Sequence, residues 1–202
     1  GNLSADGRPI LGLDAKKLAE ISWNIDENIL IIPAHAWTPW FAIFGSKSGF
    51  DSIEECFEEL SPKIYSIETG LSSSPPMNWR VSALDKVILT SNSDAHSLPN
   101  LAREANVFDI ASEVLSYQEI RRILKEKDAK KFLYTIEFYP EEGKYHYTGH
   151  RLCKVSYSPQ EDKSKGTICP VCHRPLTVGV MNRVEELANT QANNFKPRDD
   201  EF

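Results

Sequence analysis

The most chemically specific residues in this 202-residue chain form two short pairs, His150-x-x-Cys153 and Cys169-x-x-Cys172, with fifteen residues between them. One imidazole and three thiols in two close pairs make the donor set of a structural zinc knuckle, each pair spanning two corners of a tetrahedron. A cation held this way organises a segment too small to have its own core. His146 and His173 compete with His150 for the histidine position. A redox role for "CPVC" is disfavoured, because no strand–helix–strand pattern surrounds it.

A second set lies at the ends of apolar runs. "LTSNSDAHS", Leu89 to Ser97, closes such a run with a carboxylate and an imidazole, Asp94 and His96, two residues apart. In extended backbone residues i and i+2 point the same way, so both groups can face one cation. His35 follows the run "ILIIPA", and Glu68 sits near the end of "IYSIETG". Imidazole with carboxylate suits Zn, Mn or Fe, and such clusters activate water for hydrolysis. Asp94, His96 and Glu68 are therefore the candidate catalytic residues, with His35, Asp94 and His96 as candidate ligands. In the competing reading Asp94 caps a helix, His96 is an ordinary loop histidine and His35 is a hydrogen-bonded core residue.

A third set is aromatic and basic. Trp37, Trp40, Phe41 and Trp79 could stack on unpaired bases, with Arg80 on a phosphate, or could simply pack the interior. The helix expected around Arg121, Arg122, Lys125, Lys127, Lys130 and Lys131 reads as a solvated face, with contact to DNA the lesser alternative.

These side chains need strands and helices to position them. Asp14 is a plausible cap for a helix that turns Leu18 and Ile21 inward, after a short strand from Ile10 to Leu13. Ile29 to Trp37 reads as a buried strand stopped by Pro33. "GFDSIEECFEEL" is an amphipathic helix capped by Asp51 or Ser52, with Ile53, Cys56, Phe57 and Leu60 inward. A strand through "KIYSIETG", a helical turn and strand through "VSALDKVILTS", and the helix "YQEIRRILKEKDAKKFL" follow. The alternation predicts an α/β layer of mostly parallel strands, in which ligands gather at the carboxyl ends. From about Phe138 the texture turns rich in Tyr, His, Cys and turn residues, "MNRVEELANT" closes it as a helix, and a solvated tail ends the chain.

The composition, 41% hydrophobic and 26% charged, is that of an ordinary globular protein, and the net charge of −6 excludes a generic polyanion binder. No apolar stretch approaches the ~20 residues of a membrane span, and no signal pattern opens the chain. The paired thiols suit a reducing compartment, so a cytoplasmic location is expected.

Taken in order, "IIPAHAWTPWFAIFGSKSGFDSIEECF", "SIETGLSSSPPMNWR", "TSNSDAHSLPNLAREANVF" and "ICPVCHRPLTVGVMNRVEELA" resemble the endonuclease Q family of metal-dependent enzymes of the polymerase-and-histidinol-phosphatase (PHP) type. The resemblance covers most of residues 1 to 190. It implies a distorted (β/α)7 PHP barrel with an attached zinc segment. It also implies a structural zinc, a catalytic divalent metal (Zn, Mn or Mg), and cleavage of DNA at deaminated bases such as uracil and hypoxanthine or at abasic sites. On it, His35 of "PAH" and Asp94 and His96 of "SDAH" look like ligands, Glu68 of "ETG" lies beside the site, and His150, Cys153, Cys169 and Cys172 look like the knuckle.

The family's barrel opens on an H-x-H strand, and no such pair precedes His35 here. The expected division is therefore the second half of a PHP-like domain at 1–137, a zinc-knuckle segment with closing helix at 138–190, and a tail at 191–202. Such a half-filled site would bind metal weakly and catalyse little, and the cut barrel edge would favour self-association. Two alternatives stand beside the endonuclease: a PHP-type phosphoesterase for a small phosphorylated metabolite, and a non-enzymatic zinc-stabilised nucleic-acid-binding module.

Overall fold

The computed structural model describes residues 2–3, 9–47 and 49–189; the expected tail at 191–202 lies outside them. A two-stranded antiparallel ribbon, β1 (Asn2–Leu3) and β2 (Pro9–Ile10), precedes helix α1 (Ala15–Ile25). Asp14 caps α1, its carboxylate accepting from the Lys17 N–H at 2.6 Å. The buried face is the reverse of the expected one. Ala19 and Trp23 point inward, while Leu18 and Ile21 are 44% and 41% exposed. Trp23 offers the larger apolar area, and Ala19 one turn earlier lets the helix approach α2 (Ile53–Phe57) closely.

Ser52 caps α2, accepting from the Glu55 N–H, and a 3-10 turn, Glu58–Lys63, carries the chain into β3 (Ser66–Glu68). A short helix α3 (Pro75–Asn78), a 3-10 turn and β4 (Ile88–Thr90) follow, and β4 pairs with β3 in parallel, Glu68 opposite Thr90. The segment from Ile29 is not a full strand. It runs to Pro33 without ladder pairing, meets β3 only at its end, where the Glu68 N–H donates to the Pro33 carbonyl at 3.0 Å, and then turns at Ala34. Pro33 has no N–H to continue a ladder.

β5 (Ala105–Phe108) and β6 (Phe132–Ile136) pair antiparallel on either side of helix α4 (Tyr117–Glu126). β7 (Thr148–His150) and β8 (Val155–Tyr157) form a hairpin, followed by α5 (Pro159–Lys165) and α6 (Val180–Leu187). Helices and strands do mix as expected, but the described sheets are all two-stranded and only β3–β4 is parallel. A strand followed by a crossover helix looks the same in sequence whether the next strand returns parallel or antiparallel.

One core joins the early and late parts of the chain. Trp23, Trp37, Phe44, Ile53, Phe57 and Ile67 pack with Val180 and Val184 of α6. Arg183 fastens that helix: it donates to the carbonyls of Phe44 and Phe50 at 3.1 and 3.2 Å and reaches Asp51 at 2.5 Å. No described helix is long and apolar enough to cross a membrane.

Candidate functional site

Two turns of matching design bring the thiols together. At the end of the β7–β8 hairpin a 3-10 turn spans Arg151–Cys153, and Lys154 takes a left-handed conformation (φ 54°). Around "CPVCHR" the Cys169 N–H donates to the Arg174 carbonyl at 2.8 Å, the His173 N–H to the Cys169 carbonyl at 2.9 Å, and His173 is left-handed too (φ 58°). In both turns, then, the residue just after the second donor reverses the chain. A bridge between Ile168 and Pro175 closes the second turn on itself, and one between Gly149 and Thr177 docks it on the hairpin.

The result is a single tight cluster. One donor atom from each of His150, Cys153, Cys169 and Cys172 lies within 4.8 Å of all the others, and the Cys172 Sγ is 3.1 Å from the His150 Nδ1. Thiolates on one tetrahedral zinc, with Zn–S about 2.3 Å, stand roughly 3.8 Å apart. The donor set and its spacing therefore fit a zinc-sized cation. Burial raises the Cys169 thiol, but hydrogen bonds from the Cys172 N–H, His150 and the Val171 N–H outweigh it and hold that thiol at about 6. Burial, with contacts to Cys172 and Cys169, pushes Cys153 up to about 11. The rival histidines stand outside the cluster: His146 is buried with its Nδ1 3.0 Å from the Ser72 carbonyl oxygen, and His173 is exposed. Cys56 is a core residue, its thiol raised to about 11 by burial.

The strand-end set is gathered more loosely. Glu68, 8% exposed, closes β3; one carboxylate oxygen accepts from the His35 N–H and the other from the Asn92 side chain, both at 2.9 Å. His35 is left-handed (φ 32°), with its Nδ1 3.1 Å from the Thr38 hydroxyl. Only glycine fits behind it, since a Cβ on Gly70 would stand 2.9 Å from the His35 Cα. Asp94 (φ 42°) and His96 are both exposed, and the His96 Nδ1 lies 2.9 Å from the Asp94 carbonyl oxygen. Among the described residues, the knuckle is the only place where three or more such donors converge tightly enough for a metal. His35, Asp94 and His96 share the strand-end region without closing a site there.

The aromatic set divides. Trp37 is 1% exposed; its indole N–H donates to the Asn78 side chain at 2.7 Å and its ring lies 4.7 Å from that of Phe44. A base cannot stack on it without opening the core. Arg80 is committed to Glu185 at 2.6 Å, and Trp79 is half-buried. Trp40 is exposed and stands edge-on to Tyr145, 6.1 Å between centroids. Tyr145 in turn borders a 340 Å³ cavity beside His150, lined also by Lys144, Tyr147, Arg151 and Lys154.

Sequence reasoning passed over two acids behind Glu68, one buried and one half-buried. Glu104 is 3% exposed and accepts from the Phe138 N–H at 3.2 Å, and Glu137 accepts from the Thr69 hydroxyl at 3.1 Å. One oxygen of each is buried without a partner. Burial first, then the charges of Glu137 and Glu68, push Glu104 up to about 7, and burial raises Glu137 as well. Glu137 directly follows the apolar run "FLYTI", the same strand-end signal that marked Glu68. Glu104 carries no such signal.

A pH dependence follows. Between the ordinary glutamate range and pH 7 the folded chain holds a proton on Glu104 that the unfolded chain has released, so stability falls as pH rises through that window and levels off above it. Glu104→Gln removes the penalty. Urea midpoints measured from pH 5 to pH 8 are expected to flatten, with the variant more stable at pH 8 by on the order of 3 kcal/mol.

Comparison with known proteins places these features. The chain is 35% identical to the lesion-specific endonuclease PfuEndoQ from Pyrococcus furiosus, with a TM-score of 0.75 over 96% of this chain and 46% of that one. It is 34% identical, with a TM-score of 0.79 and the same coverage, to an endonuclease Q solved in complex with a 27-mer duplex substrate bearing an abasic lesion at the active site. The chain belongs to the endonuclease Q family. Two uncharacterized proteins are also similar to this chain, each 31% identical. One, YqxK from Bacillus subtilis, aligns over 88% of this chain and 45% of its own length; the other, from Methanocaldococcus jannaschii, over 77% and 19%. The chain thus spans less than half the length of each of these endonuclease Q structures and relatives. No protein-family model matches it.

Proposed function

We propose that this chain carries one part of a metal-dependent DNA endonuclease that cleaves beside deaminated bases, uracil and hypoxanthine, or at abasic sites. The observation that carries the reading is the likeness over 96% of the chain to two endonuclease Q structures, one of them holding a duplex with an abasic lesion. Residues 1–137 serve as the hydrolase portion, 138–190 as a zinc-bearing segment and 191–202 as a linker. His150, Cys153, Cys169 and Cys172 hold the structural zinc.

His35, Asp94 and His96 are three of the ligands to a catalytic divalent cation, completed by donors outside these residues. When bound, that cation supplies Lewis-acid activation of water and of the phosphodiester. The chain's own residues do the positioning. Glu68 fixes the His35 backbone and orients Asn92, and Gly70 lets the His35 turn pack against β3. Trp40 offers a flat apolar surface beside the cavity, where an unpaired base or the gap of an abasic site can be covered. The cations Lys144, Arg151 and Lys154 around that cavity meet backbone phosphates.

The test is nicking of an end-labelled duplex with one abasic, uracil or hypoxanthine site by the protein that contains this chain, with divalent metal present. Cleavage beside the lesion is expected, and His35→Ala or Asp94→Asn should each lower the rate at least about a hundredfold. That is more than removing a group behind a ligand usually costs. Knuckle zinc should be unchanged in both variants. Undiminished nicking in either variant would sink the assignment.

A further inference from the structure

At the opposite end of the strands from His35, Glu68 and Asp94 lies a second cavity, of about 260 Å³, between α1, the 3-10 turn Glu58–Lys63 and α4. Ile29, on its wall, begins the segment that ends near His35, and Tyr65 directly precedes β3. Lys63, Arg121 and Lys125 converge on it from two elements. The geometry points to a binding site for a phosphate group.

Three observations carry this. First, none of the three cations is ion-paired among the described residues, although the chain as a whole is acidic. Their neighbour shows that this is a matter of placement. Arg122, one residue on, binds Glu119, Glu126 and Asp128 at 2.7 to 3.0 Å, while Arg121 and Lys125, four apart and so on one helix face, turn away from those acids into the cavity. Second, the Nε of Arg121 is buried with no hydrogen-bond partner. A buried guanidinium donor without an acceptor costs free energy that a bound anion would recover. Third, rings hold these cations without neutralising them. The Lys63 Nζ stands 5.0 Å over the Trp23 ring, and the Arg121 guanidinium 6.0 Å over Tyr65.

The Trp23 indole N–H is already given to the Ile29 carbonyl at 2.8 Å, so the ring is a floor and not a donor. Glu27 is the single carboxylate on the rim, and it is exposed and solvated. With liquid water taking about 30 Å³ per molecule, the cavity has room for a tetrahedral anion and its waters. Converging cations with an arginine fork match the several oxygens of a phosphate better than the two of a carboxylate. The group comes from either free phosphate or the DNA backbone.

Titration of the intact chain with inorganic phosphate at low ionic strength, followed by calorimetry, tests the site, with Arg121→Gln/Lys125→Gln and, on a different element, Lys63→Gln. Saturable binding weakened at least tenfold in the double variant is expected, with far-UV circular dichroism unchanged. Affinity for a short intact duplex separates the sources. A fall in the double variant, with a shallower salt dependence, assigns the site to backbone phosphate; no change assigns it to free phosphate. Absence of phosphate binding together with unaltered duplex affinity would overturn the proposal. So would phosphate binding that survives in both the double variant and Lys63→Gln.

Discussion

Replacing Cys169 and Cys172 together with serine is expected to remove all tightly held zinc from the chain and to unfold the segment from β7 to α6. Each knuckle turn is short, and the hairpin and the "CPVCHR" turn are joined by the Gly149–Thr177 bridge and the donor cluster itself. A structural zinc of this kind contributes an apparent 10–16 kcal/mol, roughly the stability of a whole domain. α6 feels the loss because Val180 and Val184 lie in the main core just beyond the knuckle. Elemental analysis after exhaustive dialysis should give about one zinc per chain for the parent and none for the variant. Hydrogen exchange should show loss of protection spreading from β7 into α6. A parent chain that holds no zinc would contradict the knuckle.

The second large effect separates two tryptophans that look alike in sequence. Trp37→Ala is expected to cost about 3–5 kcal/mol, since it empties a large core volume beside Phe44 and leaves the Asn78 side chain without its donor. In a chain of this size that lowers the melting temperature by roughly 10 °C. Trp40→Ala should leave melting within about 2 °C but weaken binding to a lesion-bearing duplex by on the order of tenfold, because base–aromatic stacking is worth about 1–3 kcal/mol. Thermal melts and fluorescence anisotropy on the two variants decide it. A Trp37→Ala chain that melts normally and binds DNA poorly would reverse the assignment.

This contrast also shows what was legible in the sequence. "HAWTPW" announces aromatic side chains near a strand end but not which one faces inward; that depends on the left-handed turn at His35 and on Asn78, forty-one residues later. The knuckle donors were readable because ligand spacing is a local property. Of the rival histidines, His146 was excluded only by Ser72, seventy-four residues away, whose carbonyl holds it in the interior. The caps at Asp14 and Ser52 could be read from residue type alone. The inward face of α1 could not, because Leu18 and Ile21 fit the helical period as well as Ala19 and Trp23 do. Antiparallel pairing of β5 with β6 and the burial of Glu104 are likewise set by long-range contacts with no signature in the local string.

The proposed engagement of damaged DNA is tested most directly by the chain's equilibrium affinity for two duplexes of one sequence, one intact and one with a single abasic site. Tighter binding to the abasic duplex, by about tenfold or more, with the preference lost in Trp40→Ala and kept in Cys56→Ala, is the predicted result. Equal affinity for the two duplexes by the zinc-loaded chain would contradict it.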